Sequence, residues 1–543
     1  MTSSPTHDVV IIGCGPVGAL AACLLGRAGL QVLVLERDTT HYPLPRAVHL
    51  DHEMVRLFQS AGVAEAILPD MIDTDGHLHI GADGQVIRYM GTVGHARPFG
   101  WSNDWFFYQP EIETHLRAGF AAMPNVMLKL GAEFTGLTQT PPLPFRGGAG
   151  GGGSPHGTAS GERPHPNPSP EGEGLKVTYH QDGREHQATA RWAIACDGSR
   201  SPVRKALGVV LDDLGFEEPW LVVDAEVDGP VTFPDLTGVP AQADLQRLSV
   251  MVCDPARPAT VVPGRGNHRR WEMMLLPGED DAAMMAPDTV VRLLEPWIGS
   301  VPHTIVRSAT YRFHGLVAEQ WQVGNVFLAG DAAHQTPPFF GQGMCHGLRD
   351  VANLAWKMAA IVNDHADPAI LATYQPERDP HVRAVIGAAV AAGRYICELD
   401  PDKAVVRDAE MVARAAAQAA QPGTHQTAAD LIRPISAGLV LPGTAGAGER
   451  FIQPVLDDGR KLDDATGQGW RLFVDGPAPR ARGITAIDIA TLDDGGALRA
   501  WLAAHDTPAA LVRPDHYVFG TGSAPALIAA YANALGLVLE TAA

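Results

Sequence analysis

Between His7 and Glu36 a strand, a glycine-rich turn, a helix and a second strand follow one another without spacers, and few folds accept that order. Val9 to Ile12 is apolar and β-branched. Gly13-Cys14-Gly15-Pro16-Val17-Gly18 comes next, an Ala- and Leu-rich helix runs to about Ala28, and Val32 to Leu35 is a second strand that ends on Glu36. This is a βαβ unit, so the chain is read as α/β with a parallel sheet. The residues of the turn divide the physical work among them. Gly13 makes the tight bend, Gly15 admits a pyrophosphate, Gly18 lets the helix pack on the sheet, and Glu36 can accept from ribose hydroxyls.

A second stretch, Gly324 to Lys357, has the same logic at a different place. Val326 to Ala329 reads as a buried strand stopping on Gly330-Asp331, which leaves a carboxylate at the strand's C-terminal edge, where acceptors suit sugar hydroxyls. Pro337-Pro338-Phe339-Phe340 forms a stiff apolar wall, and Gly341 and Gly343 let backbone N–H groups approach a flat ligand. A helix starting at Gly343 to Cys345 carries Leu348, Val351, Ala355, Met358 and Ala359 on one face, with Arg349, Asp350, Asn353 and Lys357 mostly off it. Its N-terminus favours an anion, and a reduced flavin, anionic at its N1/C2 edge, fits there.

Between these stretches lie weaker signals. Arg37 and Arg46 are candidate phosphate partners, and a helix is expected just after Arg46, with His49 and Asp51 at its start. Gln109 opens another helix and could reach a cofactor. The strand Trp192 to Ala195 runs into Cys196-Asp197-Gly198, again a carboxylate and glycine at a strand end, with Arg200 and Arg204 beyond. Residues 141–174 are so rich in Pro, Gly and Ser that they can form no core, and strand-like flanks make them a disordered insertion at a hairpin tip. From Phe216 to Phe313 alternating strands suggest a sheet roofing a substrate, with Trp220, Trp271, Tyr311, Phe313 and His314 as pocket candidates.

The formal net charge of −20 argues against nucleic acid or an anionic membrane as partner. Six scattered cysteines lack metal-ligand spacing and fit a reducing cytoplasm, so no metal is expected. No apolar run is long enough to span a bilayer, and no signal peptide is read. Four segments follow: 1–215 and 316–437 as two parts of one nucleotide-binding unit, 216–315 as the inserted sheet, and 438–543 as a compact α/β unit without cysteine.

Three separated elements, GCGPVG with Glu36, CDGSRSPVR, and LAGDAAHQTPPFFGQGM with its helix, together resemble the single-component FAD-dependent aromatic hydroxylases of the para-hydroxybenzoate hydroxylase-like group. YRFHGLVAEQWQVGNVFLAGDAAH, RDVANLAWKM and YQPER look most like the 3-(3-hydroxyphenyl)propionate and 3-hydroxycinnamate hydroxylases, and the last segment is similar to the thioredoxin-like tail of phenol hydroxylase relatives. The resemblance implies a Rossmann-like FAD-binding domain, an inserted β-sheet substrate domain and a thioredoxin-like C-terminal domain. It implies that Gly13, Gly15, Gly18 and Glu36 bind the ADP half of FAD, Arg46 and Gln109 the phosphates and ribityl chain, and Asp331 the ribityl hydroxyls. Asp197 would serve FAD and the nicotinamide cofactor, and Pro337, Gly341, Gly343 and Met344 would line the isoalloxazine. Cys345 departs from the small or amide residue frequent after Met344.

The implied reaction is ring hydroxylation of a phenolic acid such as 3-(3-hydroxyphenyl)propionate, with NADH or NADPH and dioxygen, through a flavin C4a-hydroperoxide. His314, Tyr311 and His49, in that order, are the candidates for the base, Trp220 and Trp271 for substrate contact, and a homodimer is the candidate assembly. Alternatives are the same chemistry on a larger polyketide, antibiotic or quinone-type aromatic, or a non-catalytic flavoprotein. A flavin halogenase is disfavoured by the absence of Trp-x-Trp-x-Ile-Pro, and a simple NAD-dependent dehydrogenase by the Asp331 stretch.

Overall fold

The structure, a computed structural model, describes residues 6–40, 43–44, 46–139, 174–419 and 432–537. Its first sheet is built on five parallel strands, Val326–Leu328, Arg184–Ala195, His7–Ile12, Val32–Glu36 and Val126–Leu130, adjacent in that order. Numbered along the chain from His7–Ile12, Val32–Glu36 and Val126–Leu130 to the two later strands, the sheet places the first strand at its centre and reverses direction there, as in Rossmann-like sheets. The apolar runs form these strands because both faces are covered: Val9, Val10 and Ile11 are fully buried. The helix Pro16–Arg27 packs close under the sheet because Gly18 has no side chain; a Cβ there would lie 2.0 Å from the Gly13 carbonyl oxygen.

Strands Glu133–Gln139 and Leu175–Gln181 pair antiparallel with Gln139 opposite Leu175. The expected insertion between them lies, but for its last residue, outside the described residues.

A second sheet of eight strands holds the inserted region. Leu211–Val227 and His303–Ala318 are long antiparallel partners, followed by His268–Met274, Ala259–Pro263 and Leu248–Val252. Gly76–Ile80 and Val86–Gly91, which precede residue 216, and the two-residue strand His334–Gln335 beside His303–Ala318 complete it. Leu248–Val252 pairs in parallel with Gly76–Ile80, which ties this sheet to the first part of the chain. Its far face buries Leu221, Val223, Val261 and Trp271 among others.

His49–Asp51 is a strand of a small three-stranded sheet, not the start of a helix; the helix begins at Met54. The difference has a cause in pairing, since Asp104–Phe107 lies alongside His49–Asp51 and satisfies its backbone. The C-terminal unit has a four-stranded sheet in which Trp470–Val474 and Ile484–Asp488 run parallel, while Ala509–Val512 and Val518–Thr521 are antiparallel neighbours on the other side. That is a thioredoxin-like order, with Ala524–Leu535 as its last helix. All six cysteines are unpaired. No helix among the described residues is long and apolar enough to cross a membrane.

Candidate active site

The carboxyl ends of the parallel strands converge on one cavity of about 370 Å³. Ile12 and Gly13, Glu36, Cys196 and Asp197, and Ala329 and Asp331 all border it, as the rule for open α/β sheets requires. Gly13 has φ +95°, which an L side chain resists. A Cβ at Gly15 would meet nothing within 4 Å, so that backbone stands open to the cavity. Glu36 borders it too, with one oxygen held by the Cys14 N–H at 2.7 Å and the other by the Asp38 N–H at 3.0 Å.

Asp331 borders the cavity at the turn after Val326–Leu328, and burial raises its pKa against the pull of His334 and Arg46. The turn that carries it is fixed from the helix Gly343–Asn363. Asp350 Oδ2 accepts from the Gly330 N–H at 3.0 Å and pairs with His334 Nε2 at 2.6 Å, and its other oxygen accepts from Arg378 at 2.9 Å. Asp197 has one buried oxygen without a partner, and burial raises its pKa. Its other oxygen accepts from the Val203 N–H at 3.0 Å.

The remaining expected cofactor residues divide. Arg37, Arg46, Gly341, Gly343 and Met344 border the cavity, with Gly343 and Met344 at the helix N-terminus. Gln109 borders it as well, but its side chain fastens the Arg46 loop: Oε1 accepts from the N–H groups of Arg46 and Ala47 at 3.0 and 2.8 Å, and Nε2 donates to Glu113 at 2.7 Å. Pro337 is buried and off the wall, where Pro338 and Phe339 stand in its place. Gly18 acts through packing and not contact. Cys345 is fully buried under the floor, and burial raises its thiol pKa well above the ordinary value.

Of the three candidate bases only His49 reaches the cavity. Tyr311 and His314 sit on His303–Ala318, two strands away from the part of the second sheet that covers it, and Tyr311 bonds Arg307 instead. Trp271 points the wrong way because side chains alternate along a strand: its neighbours Arg270 and Glu272 face the cavity, so the indole joins the far core. Trp220 is fully buried one layer behind, edge-on to the wall residue Phe339 with ring centres 5.8 Å apart.

His49 is held by Asp104, Nε2 to Oδ1 at 3.1 Å, and its Nδ1 is buried without a partner beside Gly341. Burial alone would lower its pKa; the Asp104 carboxylate, helped by Asp51, outweighs that and raises it. His77 stacks edge-on to His49 with ring centres 5.1 Å apart, both its nitrogens buried and unpartnered, and burial keeps it well below the usual histidine pKa, so it is neutral. The sequence reading missed Asp104, His77 and Glu272. The alternation His77-Leu78-His79 is the one local signal, since it puts both histidines on the same strand face.

A Rossmann crevice with an open glycine turn, a carboxylate at the end of a third parallel strand and a second sheet as roof defines a dinucleotide-binding flavoprotein. The family described as FAD binding domain matches residues 6–142 and 169–389. A probable NADH-specific resorcinol 4-hydroxylase of Rhodococcus jostii (strain RHA1) is 32% identical over 97% of this chain and 94% of its own. A 3-(3-hydroxy-phenyl)propionate/3-hydroxycinnamic acid hydroxylase of Burkholderia vietnamiensis (strain G4 / LMG 22486) is 32% identical over 99% and 95%. In fold, the chain matches aklavinone-11 hydroxylase, solved with FAD and aklavinone, with a TM-score of 0.74 at 20% identity over 98% of this chain and all of the other. The chain belongs to the FAD-dependent aromatic hydroxylases.

Proposed function

We propose that the chain hydroxylates a monocyclic phenol using NADH or NADPH and dioxygen, with His49 as the base that activates the ring. The observation that carries this reading is the buried His49–Asp104 pair, set between the glycine floor at Gly341 and the roof of the second sheet. Bound FAD, once reduced, supplies the activation of dioxygen. The protein supports it through Gly13, Gly15 and Glu36 at the ADP end, with Arg37 and Arg46 near the phosphates. Asp331 suits the ribityl hydroxyls, Asp197 offers its unpartnered oxygen, and Pro338, Gly341, Gly343 and Met344 form the bed for the flat ring.

His49 donates Nε2–H to Asp104, which leaves the Nδ1 lone pair to take the phenol proton. Asp104 then stabilises the imidazolium and keeps the ring oriented. Removing that proton makes the ring electron-rich at the positions that receive oxygen, and the buried walls exclude water from the reacting atoms. A cavity of about 370 Å³ that FAD must share favours one aromatic ring over a polycyclic substrate. The phenolic acid expected from sequence and a diol such as resorcinol both satisfy this much.

Purified FAD-loaded protein decides the matter. NADH and NADPH oxidation in air is followed with and without resorcinol and 3-(3-hydroxyphenyl)propionate, and hydroxylated product is scored against hydrogen peroxide. Stimulated oxidation with matching product is expected for at least one of the two; oxidation that neither phenol accelerates would refute the reading.

A further inference from the structure

The roof of the cavity is one face of the second sheet, and its polar groups form a short row. His77 lies opposite Ser249 on the neighbouring strand, and Thr260 opposite Glu272, with Arg270 two residues before Glu272 on the same face. Ser249, Thr260 and Glu272 all border the cavity, and among the described residues none of their side chains makes a hydrogen bond within the protein. Three buried or half-buried polar groups left open toward one space call for a polar ligand there.

The charge of that ligand follows from its neighbours. Arg270 is committed to Asp224 by two contacts of 2.8 and 3.1 Å and gives Nη1 to the Arg46 carbonyl at 2.6 Å. Arg307 lies 3.9 Å from the same Asp224 carboxylate, and His268 Nε2 3.2 Å from it. Two guanidiniums therefore face two carboxyl groups, Asp224 and Glu272, and this patch is already balanced. A substrate carboxylate would add an unmatched negative charge beside Glu272, which is costly wherever the pair is desolvated. A neutral hydroxyl adds none; it can donate to the Glu272 carboxylate, and donate to or accept from the Ser249 and Thr260 hydroxyls.

We propose that Glu272, with Ser249 and Thr260, binds a second, uncharged hydroxyl of the substrate, so that the enzyme prefers a neutral dihydric phenol to a phenolic carboxylate. This assignment rests on the reading that the phenol lies beneath the second sheet. The phenolic acid expected from the sequence motifs is thereby disfavoured for a physical reason that those motifs do not contain.

Isothermal titration of the FAD-loaded protein tests it without turnover, with resorcinol, phenol and 3-(3-hydroxyphenyl)propionate as ligands. Resorcinol should bind about tenfold or more tightly than either of the others. Glu272→Gln, which keeps shape and hydrogen bonding but removes the charge, should bring the propionate to within about threefold of resorcinol. Glu272→Leu should cost resorcinol about tenfold and leave phenol unchanged. Propionate binding as tight as resorcinol in the unaltered protein, no binding of any ligand, or a Glu272→Leu variant that keeps its affinity for resorcinol would each overturn the assignment. Turnover separates this inference from the function it rests on. Resorcinol that binds tightly but accelerates no NAD(P)H oxidation would remove the hydroxylase reading and leave Glu272 its role; acceleration by the propionate alone would do the reverse.

Discussion

Replacing Arg513 by Leu should loosen the C-terminal unit from the flavin-site helix and lower stability by about 3–5 kcal/mol, the usual cost of breaking a buried ion pair from one side. Arg513 is fully buried and donates to Glu377 at 2.7 Å and to Asp515 at 2.6 and 2.9 Å, with a further bond to the Leu439 carbonyl at 3.0 Å. Glu377 also pairs with Lys357 at 3.1 Å and accepts from Asn353 at 2.6 Å, and Asp515 accepts from the Trp356 indole at 3.0 Å. Asn353, Trp356 and Lys357 belong to the helix whose N-terminus meets the cavity. Burial alone would raise the Glu377 pKa, but Arg513 and Lys357 hold it down at about 2, against an ordinary 4.5. That displacement is worth about 3 kcal/mol, in line with the figure for the broken pair. Because the folded pKa is depressed, the stabilisation is complete above about pH 4.5 and is lost as pH falls toward 2. At neutral pH the variant should melt about 3–5 °C lower if the chain unfolds as one unit, and about 15–25 °C lower in a separate transition if the C-terminal unit of roughly 100 residues unfolds alone. Thermal melts from about pH 7 down to about pH 3 check both statements, with FAD retained after gel filtration as a second readout. A variant melting within about 1 °C of the parent at neutral pH would refute the buried-pair argument.

Two further outcomes follow from the cavity. With His49 as the proposed base, turnover per substrate affinity should rise with pH through a pKa above the ordinary histidine value, because a base must be neutral to act and Asp104 raises the pKa; Asp104→Asn should move that limb to lower pH and slow turnover by about 10²-fold or more, as a pH profile of kcat/KM would show. The two glycines of the first turn should separate folding from binding: Gly18→Ala, 2.0 Å from the Gly13 carbonyl, should yield little folded protein, whereas Gly15→Ala, with open space around it, should melt like the FAD-free parent and lose FAD on gel filtration.

What the sequence made legible was whatever had a local steric reason. The turn at Gly13 to Gly18 and the Asp331 edge could be read because the role of each residue is set by its immediate neighbours in the chain. The long helix shows the opposite case. Arg349, Asp350, Asn353 and Lys357 lie off its apolar stripe and look like a solvated face, yet all four are buried. Their partners, Asp51 and Glu53 for Arg349, Arg378 for Asp350, Glu377 for Lys357, come from distant segments, and no periodicity within the helix announces them. The same limit explains Tyr311, His314 and Trp271. Alternation along a strand tells which residues share a face, but not which face roofs the cavity or which strands lie above it.

Gly341 joins the two halves of the site more closely than either motif suggests. Its place in the sequence fits a backbone that must approach a flat ligand, and φ +62° adds a conformational reason for glycine. A third reason is visible only in three dimensions: a Cβ at 341 would lie 2.4 Å from Nδ1 of His49, the nitrogen left open once Asp104 has taken Nε2. Any side chain there would drive the imidazole off Asp104 or away from the cavity. The proposed floor under the flavin and the proposed base are therefore fitted to each other, although they stand in different motifs far apart in the chain. A glycine whose purpose is to leave room for a histidine cannot be told, in one sequence, from a glycine that leaves room for a cofactor, and on the proposed reading position 341 meets both demands.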